Sequence, residues 1–427
     1  MSSTVNQLPL TVSTPTELQA KRKAKLSQIK LSWTIARIQA RWRGYTVRQR
    51  SKFRWPSALT DDFSKPAMNP PLQQEAIKNI EWVREHSALL VRTVTWNLCA
   101  NNPPSTEFLS GIIPRNRFHI YVIGSEECER TIAQSAVNPS KKNWEMDLQL
   151  AVGQHYVPLR SHTLQAIHIV AYAHVSIVPL ISEVRSAALP MGIGNTLGNK
   201  GAVSLSFKVG ATRFCFVNAH FEAHQRSWET RNAQFSRTHR EIPALLQKAE
   251  ISREIGLSVG DSGSTAVHIE ALDSATLPEY ADRVVFMGDF NYRINGNRAV
   301  VESMIKMNMH EALLVNDQLK ISRLKGQIPI EYAEPPLNFK PTYKFDVDSD
   351  DYDTSRKRRV PSWTDRVLYV ANGLECTAYN ADFSIRTSDH RPVFASFIAK
   401  IDLTGDHRFD QNKQIEFTAP SQVCSVM

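Results

Sequence analysis

The sequence predicts an α/β protein organised around β-sheets, on three observations. From residue 88 onward, short apolar runs rich in β-branched and aromatic residues recur, and each ends in polar or charged residues: ALLVRTVTWN (88–97), FHIYVIGSEE (118–127), GAVSLSFKV (201–209), TRFCFVNAH (212–220), DRVVFMGDFN (282–291), DRVLYV (365–370) and HRPVFASFIA (390–399). Longer polar-apolar stretches such as Glu222 to Glu250 lie between these runs and have room for helices. Hydrophobic residues make up 42% of the 427 residues, so a large core is available; a single domain of roughly 300 residues with extensions fits better than two equal halves.

Taken in order, residues 1–26 are polar and are expected to be disordered. Residues 27–54 read as a helix with Leu31, Ile35, Ile38 and Trp42 on one stripe. Residues 55–88 form a linker and lead-in, with four prolines between 56 and 75. Residues 89–400 are expected to form the sheet-rich domain. Within it, Leu164 to Ile181 is the best membrane-span candidate, but it is barely long enough and carries His168 and His174. Its β-branched content fits two buried strands better. Ile255 to Thr276, rich in Gly, Ser and Asp, reads as a surface loop, and residues 401–427 as a polar tail.

The formal charge of +9 is concentrated in one arm. Residues 21 to 54 contain twelve Lys and Arg and no Asp or Glu, so the remainder is close to neutral. A near-neutral catalytic domain disfavours a nuclease, because duplex binding needs an extended basic face. Cys99, Cys128, Cys215, Cys376 and Cys424 are too scattered for a disulfide framework or a zinc site. MSSTVNQLPLTVSTPTEL lacks the basic and continuous apolar regions of a secretory signal, so a cytosolic setting is expected.

Phosphate chemistry shows first in FKPTYKFDVDSDDYDTSRKRRVPSWTDRVLY, from Phe339 to Tyr369. Lys344, Arg356, Lys357, Arg358 and Arg359 cluster there without hydrophobic periodicity; Arg grips phosphate as a bidentate fork and Lys as a point charge. Taken alone, the segment would be a solvated charged loop. Acidic or amide residues also recur at the C-terminal ends of predicted strands: Asn97, Glu127, Asp289 with Asn291, Asp365 and Asp389, together with His220 and His390. Singly, each is a turn or cap residue. Together, strand ends gather such residues into one cleft able to hold a hard cation.

TWN (95–97), GSEE (124–127), GNKGAVSLSF (198–207), FVNAHFEAH (216–224), FMGDFNYRI (286–294), PTYKFD (341–346), RRVPSWTDRVL (358–368) and SDHRPV (388–393) resemble, in order, the motifs of the inositol polyphosphate 5-phosphatases. The resemblance implies a four-layered α/β sandwich, two packed mixed β-sheets flanked by helices as in deoxyribonuclease I, and a magnesium-dependent phosphomonoesterase. It implies Glu127 as the principal metal ligand, assisted by Asn97, with Asp389 near the metal. Mg²⁺ takes one or two carboxylates and keeps several waters.

By the same resemblance, Asp289 orients or deprotonates the attacking water, and Asn291 lies on the phosphate oxygens. His390, paired with Asp365, contacts the transition-state phosphoryl group, and His220 contacts the phosphate. Tyr343, Lys344, Lys357 and Arg359 hold a neighbouring ring phosphate at position 4. Asn199 and Lys200 border the cleft, with Gly198 and Gly201 allowing close backbone approach to phosphate. Several residues depart from the family pattern. Glu126 stands where Gln is usual and is expected to add negative charge. Thr364 replaces Cys, Arg356 and Arg358 replace Glu and Cys, and FEAH replaces LAAH. The two arginines are expected to make the phosphate grip more basic.

The two ends carry regulatory signals. IQARWRGYTVR matches the IQ motif at Ile38, Gln39, Arg43, Gly44 and Arg48, which suits the apolar groove and acidic rim of calmodulin or a related EF-hand protein. Cys424-Ser425-Val426-Met427 reads as a CaaX box whose Met favours farnesylation of Cys424. One lipid chain anchors weakly; the basic arm would supply a second signal at about 1 kcal/mol per charge near an anionic leaflet. The expectation is a monomeric enzyme on the cytoplasmic face of a membrane and in the cytoplasm, which binds no nucleic acid. The alternatives are a phosphodiesterase or nuclease of the same superfamily and an inactive lipid-binding scaffold.

Overall fold

A computed structural model describes residues 80–101, 108–128, 141–192, 199–254 and 275–404. The basic arm with Ile38, Gln39, Arg43, Gly44 and Arg48, the linker, Gly198 and the tail with Cys424 lie outside the described residues. No described helix is long and apolar enough to cross a membrane.

Two six-stranded sheets pack face to face. The first runs β11 (Leu374–Ala381), β12 (Val393–Lys400), β1 (Ala88–Asn97), β2 (Ile120–Glu126), β4 (Ile167–His174) and β3 (Tyr156–Leu164). The second runs β5 (Ile181–Pro190), β6 (Gly201–Val209), β7 (Thr212–His220), β8 (Arg283–Asp289), β10 (Asp365–Val370) and β9 (Tyr332–Ala333). Both share one plan: a central parallel pair, β1 with β2 and β7 with β8, flanked by antiparallel neighbours.

The two-residue alternation of each strand assigns its side chains to layers. Val91, Val122, Ile169 and Ala171 meet Leu205, Phe207, Phe216 and Met287 between the sheets. The opposite face of the first sheet, with Val94, Trp96, Tyr121 and Ile123, is covered by Trp144, Leu148 and Val152 of the helix Lys142–Val152. The opposite face of the second, with Val217, Ala219 and Phe286, is covered by Phe235, Ile242 and Leu246 of the helix Trp228–Glu254. The result is helix, sheet, sheet, helix, the four-layered sandwich expected from the sequence.

Three local readings change. Leu164 to Ile181 holds one full strand, β4, rather than two; a 3₁₀ segment, Val175–Leu180, carries Pro179 and turns the chain toward the second sheet. The long helix starts at Trp228 rather than Glu222, because the Glu222 N–H donates to Gln234 Oε1 at 2.8 Å and the Glu222 and His224 carbonyls accept from Arg231. Gly201 is required by strand packing rather than by phosphate: φ is 151°, and a Cβ there would sit 2.3 Å from the Leu189 carbonyl of β5.

Candidate active site

One edge of the sandwich collects most of the residues singled out in the sequence. Parallel β1 with β2 and β7 with β8 end there, delivering Asn97, Glu126, His220 and Asp289. Asp365 opens β10, and Asp389 and His390 precede β12, so these three stand at strand starts, not at the carboxyl ends. β10 and β12 run antiparallel to β8 and β1, and their starts therefore lie at the same edge. Register completes the placement: Asp289 is paired with both His220 and Asp365.

Asp289 is buried at the centre. Its Oδ2 accepts from Asn97 Nδ2 at 3.1 Å and lies 3.4 Å from His220 Nε2 and 3.9 Å from His390 Nε2; its Oδ1 accepts from the Asn291 N–H at 3.0 Å. His390 Nδ1 lies 3.1 and 3.0 Å from the two oxygens of Asp365. Asp365 also accepts from Thr342 Oγ1 at 2.8 Å and Thr364 Oγ1 at 2.9 Å, so Thr364 keeps a hydroxyl on the carboxylate that orients the imidazole. Lys200 Nζ reaches His220 Nε2. Asn199 makes no described contact with this cluster, and its buried Oδ1 has no hydrogen-bond partner.

Charge follows from these distances. Burial alone would lower the His390 pKa, but Asp365 and Asp289 raise it from 6.5 to about 10, so the imidazole is cationic at neutral pH. Burial alone would raise the Asp289 carboxyl, but His390, His220 and Lys200 hold it well below the ordinary carboxylate range. Burial pulls the Lys200 ammonium below its usual value. The charge expected of Glu126 is opposed by its setting: it is fully buried, its Oε1 accepts from Thr95 Oγ1 at 3.2 Å, and burial followed by Asp289 and Asp365 pushes its carboxyl well above the ordinary value. Burial followed by Asp389 pushes the Cys99 thiol up to about 12, which removes it as a thiolate nucleophile. Cys215 and Cys376 are also free thiols.

The basic segment read from the sequence as a phosphate grip borders the cluster. The Tyr343 ring lies 4.3 Å from His390, centroid to centroid, and Lys344 Nζ is salt-bridged to Asp389 Oδ2. Asp353, fully buried, suspends the basic loop: its N–H donates to the Lys344 carbonyl at 2.9 Å, while its carboxylate accepts from the Ser355 N–H at 3.2 Å and the Arg359 N–H at 2.6 Å. This ties Lys357 and Arg359 to Lys344 through the backbone. Arg358 instead faces a separate cleft with Arg298, so it does not join the grip as expected.

The donor set suits a hard divalent cation. Glu127, just past β2 at φ 49°, is part-exposed and 3.9 Å from His220 Nε2, and Asn97 stands on the neighbouring strand end. Asp389 Oδ1 is buried without a hydrogen-bond partner, an orphaned carboxylate oxygen of the kind a cation satisfies. Asp289, Asp365 and His390 also offer ligand atoms within 4.8 Å of one another, with the imidazole held against Asp365.

Residues 94–396 match the model of the endonuclease/exonuclease/phosphatase family 2. The chain belongs to this family. Among its relatives, the Homo sapiens phosphatidylinositol polyphosphate 5-phosphatase type IV is 32% identical over 317 residues, 72% of this chain and 45% of the relative, so the chain spans about half the length of that protein. The inositol polyphosphate 5-phosphatase domain of a synaptojanin, crystallised with inositol (1,4)-bisphosphate and calcium, superposes with a TM-score of 0.60 at 28% identity, covering 77% of this chain and 91% of that one. A family fold does not dictate function: Cimex nitrophorin, a ferrous NO complex, shares it at 20% identity and TM-score 0.56, covering 74% of this chain and 99% of that one.

Three supports of this family site escaped sequence reasoning. Arg293 donates to Asn291 Oδ1 and lies over the Tyr343 ring at 4.4 Å; Thr342 bonds Asp365; Asp353 hangs the basic loop. Arg293 and Thr342 stand inside FMGDFNYRI and PTYKFD, next to residues already singled out, and that adjacency was the available signal. Asp353 was hidden in an acidic run that reads as solvated surface.

Proposed function

We propose that this chain is a magnesium-dependent phosphomonoesterase that removes the 5-phosphate from phosphoinositides such as phosphatidylinositol 4,5-bisphosphate or 3,4,5-trisphosphate, or from their soluble inositol polyphosphate head groups. The observation that carries this reading is the Asp365-held His390 cation beside buried Asp289, with the Tyr343–Lys344 segment against it. It is supported by relatives named as inositol polyphosphate 5-phosphatases.

Asp289 faces His390, His220 and Asn97, and its depressed pKa makes it a poor base, so it serves chiefly to orient water for in-line attack. Asn291, fixed by the Phe221 carbonyl and by Arg293, offers its amide edge beside the same carboxylate. The His390 cation, oriented by Asp365, stabilises the extra charge on the phosphoryl oxygens, and His220 with Lys200 does so from the second sheet. Mg²⁺, held by Glu127 and Asn97 with Asp389 nearby, would polarise the phosphate and stabilise the departing ester oxygen. Tyr343, Lys344, Lys357 and Arg359 grip the 4-phosphate, which places the 5-phosphate over Asp289. Phosphate release with and without chelator tests this, comparing phosphatidylinositol 4,5-bisphosphate vesicles with soluble inositol 1,4,5-trisphosphate and using Asp289→Ala as control. Magnesium-dependent release, lost in the variant, is the expected result; no release from either substrate by folded protein would overturn the reading.

The proposal extends to regulation: calmodulin or a related EF-hand protein covers the arm at Ile38–Arg48, and with prenylation at Cys424 that arm holds the enzyme on the cytoplasmic face of a membrane. Sedimentation of the prenylated protein with anionic vesicles should fall when calmodulin is added; no effect would sink the switch.

A further inference from the structure

A cleft of about 480 Å³ lies between the helix Arg298–Lys306 and the loop that carries Asp350 to Arg358, and Lys340 also lines it. Such a volume falls in the range of ligand pockets, roughly 300–1,000 Å³. Its wall is built: Arg298 donates to the Tyr352, Asp353 and Arg359 carbonyls at 2.7, 2.7 and 3.1 Å, which pins the loop to the helix.

The charge in the cleft sorts by pairing. Glu302 is neutralised by Arg298 at 2.7 Å and Asp350 by Arg386 at 2.6 Å. That leaves Asp351 against Lys306, Lys340 and Arg358, and among the described residues none of these three cations has an ion-pair partner. Lys340 Nζ sits 4.6 Å from the Phe383 ring centroid, so its position is fixed by an aromatic platform. Three cations against one carboxylate in a walled cleft recognise a multiply charged anion.

We infer that this cleft is a second anion site, distinct from the Asp289 pocket, which takes a phosphate-bearing head group, either a soluble inositol phosphate or the head group of an anionic lipid. Occupied, it would hold the Asp353–Arg359 loop from the side opposite Lys344.

The test uses the full chain carrying Asp289→Ala, so that turnover does not consume the probe. Inositol hexakisphosphate is titrated in one arm, and phosphatidylcholine vesicles with and without phosphatidylserine in the other. Lys306→Glu and Arg358→Ser are each expected to weaken binding about fivefold, while Lys306→Arg retains it and shows that charge rather than folding is responsible. Weakening in the first arm assigns a soluble anion, and weakening in the vesicle arm assigns a lipid head group. Unchanged binding in both arms overturns the site.

Discussion

His390 Nδ1 lies 3.0 Å from Asp365 Oδ2, with both residues buried, and this pair sets the charge of the whole pocket. The His390 pKa is raised from 6.5 to about 10, so the contact contributes stability fully below pH 6.5 and loses it as pH climbs through about 10. Activity that depends on the cation should keep its alkaline limb near that upper value. Asp365→Asn removes the chief source of the shift and should move the limb downward by one or more pH units while lowering kcat about 10²-fold. A pH–rate profile checks both effects, and an unmoved limb would detach His390 from catalysis.

Asp353 holds the basic loop by two backbone N–H groups but touches no reacting atom, so it is a positioning residue. Asp353→Ala should raise KM for a 4-phosphorylated substrate about tenfold with a smaller change in kcat, whereas Asp353→Asn, which keeps an acceptor, should recover most of the loss. Steady-state kinetics separate the two constants; a pure kcat effect would count against a role in substrate grip.

Burial, then Asp289 and Asp365, push the Glu126 carboxyl toward its uncharged form, so replacing it with the neutral Gln should matter little. Glu126→Gln is expected to leave kcat/KM near pH 7 within about twofold, and to raise stability once pH exceeds the ordinary carboxyl value of 4.5, because the unfolded chain then ionises a carboxyl that burial keeps from ionising. Kinetics and urea unfolding at pH 7 and 9.5 test this. A large loss at pH 7 would mean that Glu126 carries charge.

Arg366, fully buried in β10, bonds Asp317 at 3.0 Å and Glu334 at 2.5 and 2.7 Å. Arg366→Ala strands two carboxylates in the interior and should cost about 3–5 kcal/mol in urea unfolding. A loss under about 1 kcal/mol would show that water or repacking replaces the guanidinium.

The site was more legible in the sequence than the sheet edges were. Asn97, His220 and Asp289 end strands that are buried on both faces, so each follows a conspicuous apolar run. β3 and β11 are half exposed, and β5 is partly so over its first half; their polar residues break the apolar signal, and none of the three was read as a strand of its own. Strand direction was also invisible. Asp365 and Asp389 follow no strand, and only the antiparallel pairing of β10 and β12 brings them to the edge where β8 and β1 end. Glu126 shows a further limit: its ionisation depends on burial between the sheets, which local sequence does not report.

The proposed hydrolysis is specific for one ring position, because a 4-phosphate grip presents the 5-phosphate to Asp289 and His390. Following inositol 1,4,5-trisphosphate by phosphorus NMR in the presence of magnesium tests it most directly. Loss of the 5-phosphate resonance, appearance of inorganic phosphate, and inositol 1,4-bisphosphate as the product are expected. Loss of the 1- or 4-phosphate first, or cleavage of a phosphodiester bond with no monoester turnover, would contradict it.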